Sequence, residues 1–105
     1  MNRQSKRNAI IRLLNPMRKH NYFKGFNMGN SLAHERRKME IAFNHTIAGC
    51  VVILEAEFQK NAGRCDVLCL DCETIYEVIH SESEESISVK RKLYPESLKI
   101  VEVKV

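Results

Sequence analysis

The amino-acid sequence predicts an α/β domain in which a helix, three strands, a second helix and a last strand follow one another. Three observations carry this expectation. A helical stretch with its own start and stop signals runs from Ser31 to Gly49. Three short apolar runs follow between residues 51 and 80, separated by turn residues. A stretch that is acidic at Glu82, Glu84 and Glu85 and basic at Lys90, Arg91 and Lys92 then precedes an alternating tail, the pattern of a helix feeding a strand.

Each element has a local reason. Residues 1–19 predict a basic helix around Ala9-Ile10-Ile11-Arg12-Leu13-Leu14, stopped by Asn15-Pro16 because proline cannot continue a helix. Residues 20–31 read as a Gly/Asn-rich loop with Tyr22, Phe23 and Phe26, aromatics that either pin a loop to a core or stack on bases. Ser31 is the expected N-cap of a helix reaching about Ala48, with Met39, Ala42, Phe43, Thr46 and Ile47 as its buried stripe. Glu35 lies one turn before Met39, at the inward-facing N-terminal end of that stripe; Glu40 falls at its margin, and His34 and His45 read as ordinary helix residues. Strands are expected at Val51–Phe58, Cys65–Asp71 and Ile75–His80, with turns at residues 59–63 and 72–74. Ser81 and Glu84 have capping-box spacing for a helix ending at Tyr94, before Pro95. Leu98–Val105 alternates as a last strand, and a strand that follows a helix can pair in parallel.

Size and charge narrow the function. The chain has 105 residues, enough for one modest core. No apolar run approaches the roughly 20 residues of a membrane span, and no secretory signal is visible, so the expected location is the cytoplasm. Residues 1–33 contain Arg3, Lys6, Arg7, Arg12, Arg18, Lys19 and Lys24 and no acid. This asymmetry divides the chain into a basic arm and loop, residues 1–30, and an α/β domain, residues 31–105. A one-sided basic arm suits a polyanion, and those seven cations are the candidate DNA contacts. Cys65, Cys69 and Cys72 have C-x3-C-x2-C spacing, similar to an iron–sulfur motif of radical SAM enzymes, but the chain is too short for the barrel those enzymes need. The expectation is that Cys65 and Cys69 are small apolar strand residues, with neither a zinc ribbon nor a disulfide.

Asp66 and Glu77 carry the candidate chemistry. Each is a single acid in an apolar strand, where a carboxylate is costly unless it binds something. Two acids on adjacent strands make a divalent-cation site for Mg2+ or Mn2+, which take oxygen ligands, and Glu35 supplies a third carboxylate. The condition is geometric. Side chains alternate along a strand, so the two acids share a face only if the turn joining their strands has an even number of residues. A two-residue turn at Cys72-Glu73 would set Asp66 opposite Ile79.

The order of elements, with Glu35 on the helix, Asp66 in Arg64-Cys65-Asp66-Val67-Leu68 and Glu77 in Tyr76-Glu77-Val78-Ile79, resembles the PD-(D/E)XK nuclease superfamily, nearest to small archaeal and archaeal-virus nucleases and Holliday-junction resolvases. The resemblance covers residues 31–105. It implies a restriction endonuclease-like core, a mixed sheet flanked by helices, and metal-dependent hydrolysis of DNA with Asp66 and Glu77 holding the metal. For a viral member it implies the host cytoplasm. The superfamily's Glu-x-Lys has Ile79 in the lysine position here. Members that move this lysine to the following helix point to Lys90, which with Tyr94 has the spacing of the Gln-x-x-x-Tyr motif of RecB-like nucleases; Lys90 joins Glu35, Asp66 and Glu77 as a catalytic candidate and Tyr94 joins the DNA contacts. The departure at Ile79 keeps a second expectation open, a nuclease-like fold without catalysis that binds DNA or serves assembly. A third is an unrelated α/β interaction domain. A large DNA footprint on so short a chain suggests a homodimer, with the last strand as a pairing edge.

Overall fold

The computed structural model describes residues 2–17, 29–79 and 84–105. The described elements are α1 (Arg3–Ile11), α2 (Leu32–Ile47), β1 (Val52–Leu54), β2 (Val67–Cys69), β3 (Thr74–Ile79), α3 (Glu84–Leu93) and β4 (Lys99–Lys104), with a 3-10 turn at Gln59–Asn61. The strands form one open mixed sheet in the order β1-β2-β3-β4. β1, β2 and β3 pair antiparallel, and β4 returns through α3 to run parallel to β3. The expected α/β class and the parallel last strand are both present. The helix connection explains the latter, because a crossover is what brings a strand back in the same direction.

Alternation along the strands divides the core in two. Ile53, Leu68 and Ile75 face Ile10, Leu14, Phe58, Leu70, Tyr94 and Leu98 on one side of the sheet. Val67 and Val78 face Ile41 of α2 on the other. Burial of each large aliphatic side chain contributes about 2 kcal/mol, so the first and larger cluster carries most of the hydrophobic stabilisation.

Two expectations are corrected. Residues 1–30 were expected as an arm outside the domain, yet the described part belongs to the body. Asn2 caps α1 by accepting from the Ser5 N–H at 2.8 Å, Ile10 and Leu14 enter the larger core, and Leu14 bridges to Phe58. The backbone then continues the contact, Asn15 N–H donating to Glu57 O and Gln59 N–H to Leu13 O. The acid-free, basic composition of the segment drew the boundary, while Ile10 and, just past α1, Leu14 supply the anchors.

The second correction is to the phase of α2. Its limits follow the sequence: Ser31 Oγ accepts from the His34 N–H at 3.1 Å, and Gly49 ends it at φ 91°, a conformation glycine adopts without strain. Its buried face, however, is His34, Glu35, Lys38 and Ile41. Met39, Phe43 and Ile47 lie outward, Phe43 at 64% and Ile47 at 69% exposure. Hydrophobicity selects the wrong stripe because the buried one is polar. It becomes stable under α2 only through pairing among the polar tips themselves.

Candidate functional site

The β2–β3 turn has four residues, Leu70 to Glu73, since Cys69 pairs with Thr74. Glu73 takes a positive φ of 53° there, and Thr74 Oγ1 donates to Cys72 O at 2.8 Å. Four is even, as the parity condition asks. The paired register ends at Val67↔Tyr76; one further step would set Asp66 opposite Glu77, rather than opposite Ile79 as a two-residue turn would. Both acids then have the parity of Leu68 and Ile75.

At this point the two strands part. Val78 N–H donates to Asp66 Oδ2 at 2.8 Å, so a carboxylate stands in for a strand partner, and β2 ends at Val67 rather than continuing from Cys65 as expected. Asp66 O accepts from Glu55 N–H at 2.9 Å and holds the same residue to β1. His34 of α2 brings its Nε2 to 3.4 Å from Asp66 Oδ2 and its Nδ1 to 3.8 Å from Glu35 Oε1. Glu35 is buried as expected, accepting from Asn30 Nδ2 at 2.6 Å and facing Lys38 Nζ at 3.2 Å. Burial works to raise the Glu35 carboxyl, but the Asn30 and Lys38 contacts outweigh it and hold the group below its ordinary value. Lys38 is almost enclosed and also lies 3.5 Å from Glu55.

Glu77 is served from the other side. The Tyr94 hydroxyl donates to Glu77 Oε1 and lies 2.9 Å from Arg64 O. Lys90 Nζ lies 3.8 Å from Glu77 Oε2, so the α3 lysine leans over the sheet. Burial first, then the bond to Glu77 and the charges of Glu77, Cys65 and Asp66, push the Tyr94 hydroxyl well above the usual tyrosine range. Burial likewise raises the Cys65 thiol, helped by the charges of Glu77 and Asp66. Tyr94 is seated by Gly63: a Cβ there would stand 2.8 Å from Tyr94 Cε1, and Gly63 has φ 99°. Ile79 is buried, an apolar side chain in the position where the resemblance expects lysine.

The expected residues are therefore linked in two groups. Glu35 and Asp66 join through His34, while Glu77, Lys90 and Tyr94 join on the α3 side. His34, Lys38 and Glu55 were missed. Only the i, i+4 spacing of His34 and Lys38 hinted that they share a face.

The basic candidates disperse. Arg3 and Arg7 lie 2.8 and 3.0 Å from Asp71 Oδ1, Lys6 is 4.0 Å from Glu73, and Arg7 Nη2 donates to Gly49 O at 3.4 Å. Burial would raise the Asp71 carboxyl, but the Val51 N–H bond and the two guanidiniums lower it overall. Arg12 is exposed. Arg18, Lys19 and Lys24, the loop aromatics, His80 and the expected Ser81 cap lie outside the described residues.

The cysteines also divide. Cys65 is in the larger core. Cys69 and Cys72 gather instead with His45 and Cys50, the four ligand atoms all lying within 4.8 Å of one another. Cys50 and His45 were missed because neither belongs to the C-x3-C-x2-C run. No family model, curated protein or solved structure matches the chain.

Proposed function

We propose that this chain is a divalent-cation-dependent deoxyribonuclease of PD-(D/E)XK type. The observation that carries the reading is the even, four-residue turn between the strands that precede Asp66 and hold Glu77, with Lys90 reaching Glu77 from α3. The donors fit a hard cation, Mg2+ or Mn2+, because both are carboxylates and no sulfur or imidazole nitrogen is required. When bound, such an ion lowers the pKa of a water and offsets phosphate charge. The protein's own groups do the rest. Tyr94 orients Glu77, His34 and Val78 N–H orient Asp66, and Glu35 lies beyond His34, 3.8 Å from its Nδ1. Lys90 places a positive charge beside Glu77 and takes the part that Ile79 cannot. DNA is the partner in this reading, approached through Arg12 and the basic residues 18–24, and β4 at the sheet edge is where a second copy would pair.

A second reading, a nuclease-like fold without catalysis that binds DNA or serves assembly, rests on the buried Ile79. One assay separates the two: supercoiled, single-stranded and four-way-junction DNA incubated with Mg2+ or Mn2+ and each variant. The expected result is cleavage by the wild type, a loss of at least about 100-fold in Asp66→Ala and Glu77→Ala, and a loss of about 10- to 100-fold in Lys90→Met. Salt-sensitive DNA binding without cleavage selects the second reading, and neither binding nor cleavage sinks both.

A further inference from the structure

We infer that His45, Cys50, Cys69 and Cys72 form a tetrahedral zinc site that clasps α2, β1 and the β2–β3 turn. The inference does not rest on the nuclease reading. The four donors come from the last turn of α2, the link into β1, the end of β2 and the turn after it. Their spacing gives two short chelating loops, His45-x4-Cys50 and Cys69-x2-Cys72. Both loops are tied from within: Cys50 N–H donates to His45 O at 2.9 Å, and Cys72 N–H donates to Cys69 Sγ at 3.3 Å. Cys72 Sγ lies 3.7 Å from His45 Nδ1. A zinc ion with bonds of about 2.3 Å to sulfur and about 2.0 Å to nitrogen needs these two atoms about 3.5 Å apart. Tyr76 packs edge-on to the His45 ring, 5.0 Å between centroids, and limits its rotation.

Charge and chemistry agree. Three thiolates and a dication leave one net negative charge. On binding, each thiol releases its proton to solvent while His45 stays neutral and binds through Nδ1. Thiolates and one imidazole select zinc over magnesium, so this site and the carboxylate end of the sheet draw different ions. Four protein donors close the coordination sphere, which makes the ion a staple. Such a staple suits a domain whose β1 and β2 have three residues each.

The reduced full-length chain should be titrated with zinc against a chromophoric chelator, and with cobalt to read the visible bands of tetrahedral thiolate ligation. The expected result is one equivalent bound, cobalt bands of tetrahedral type, and a thermal midpoint raised by about 5 °C or more. Cys50→Ser and Cys72→Ser should each weaken binding by more than about 100-fold, beyond the ~10- to 100-fold that loss of a merely supporting group costs. Cys72 is exposed, so its variant tests binding without disturbing the core. Cys65→Ala should leave binding unchanged, because Cys65 packs in the larger core and is not among the four clustered donors. Absence of stoichiometric binding, binding that survives both serine variants, binding lost in a folded Cys65→Ala, or a disulfide among Cys50, Cys69 and Cys72 in protein purified without oxidant overturns the inference.

Discussion

The two ends of the β2–β3 hairpin differ in everything except their backbone. At the open end, beyond Val67↔Tyr76, the strands part around Asp66 and Glu77, and the side chains are hard oxygen donors held by His34, Tyr94 and lysines. At the turn, about 10 Å away along the strand, the donors are sulfur and imidazole, and the neighbouring cations are the arginines of α1. Position along the strand and along α2 produces the difference. Asp66 meets His34 in the first turn of α2, and Cys69 gathers with His45 in its last turn, so opposite ends of one helix serve the two groups. The lesson is that two sets of side chains of different chemistry can be kept apart by their place along one strand and one helix.

The largest effect that tests this contrast is on cleavage. Asp66→Ala should cost at least about 100-fold in DNA hydrolysis and leave zinc stoichiometry unaltered, measured on one preparation by gel assay and metal titration. Loss of both together would mean that the ends are not independent. Next in size is Tyr94→Phe, which strips Glu77 of a hydroxyl donor and leaves Arg64 O without that contact. It should destabilise the fold by about 2 kcal/mol, read from a urea midpoint at constant m-value. Asp71→Ala removes the acceptor shared by Arg3, Arg7 and Val51 N–H, and should cost about 1–2 kcal/mol, with faster amide exchange in α1 but not in α2.

The pH response follows from the same groups. Glu35 and Asp71 both lie below their ordinary values of 4.5 and 3.8. Each therefore stabilises the fold above its ordinary value, and that contribution is lost as the pH falls through the lower native value. Urea midpoints should decline below about pH 4.5, and Glu35→Gln and Asp71→Asn should each flatten that decline. The smallest expected effect is at the outward stripe of α2: Phe43→Ser should change monomer stability by no more than about 0.5 kcal/mol in either direction.

Much of this was legible in the sequence. The limits of α2 were, because Ser31 and Gly49 are local signals that need no tertiary partner. So was the parallel β4, because a helix precedes it. The phase of α2 was hidden, since Lys38 becomes a buried residue only when Glu35 and Glu55 are in place. The turn length was hidden as well: Glu73 adopts a positive φ that only glycine would have announced. The sulfur cluster escaped because its members come from α2, the link into β1, β2 and the turn after it, and the most conspicuous cysteine triplet includes Cys65, which the larger core claims.

Gly63 has a consequence of its own. The space where its methyl group would stand is filled by the Tyr94 ring, so the depth to which that ring sinks is gauged by a hydrogen atom on a loop far from Glu77 in sequence. A methyl group added there would meet the ring at 2.8 Å and, at φ 99°, strain the loop, so the ring whose hydroxyl donates to Glu77 would have to give way. The β1–β2 loop is thus the adjusting screw of the open end, and its setting is written as the absence of a side chain.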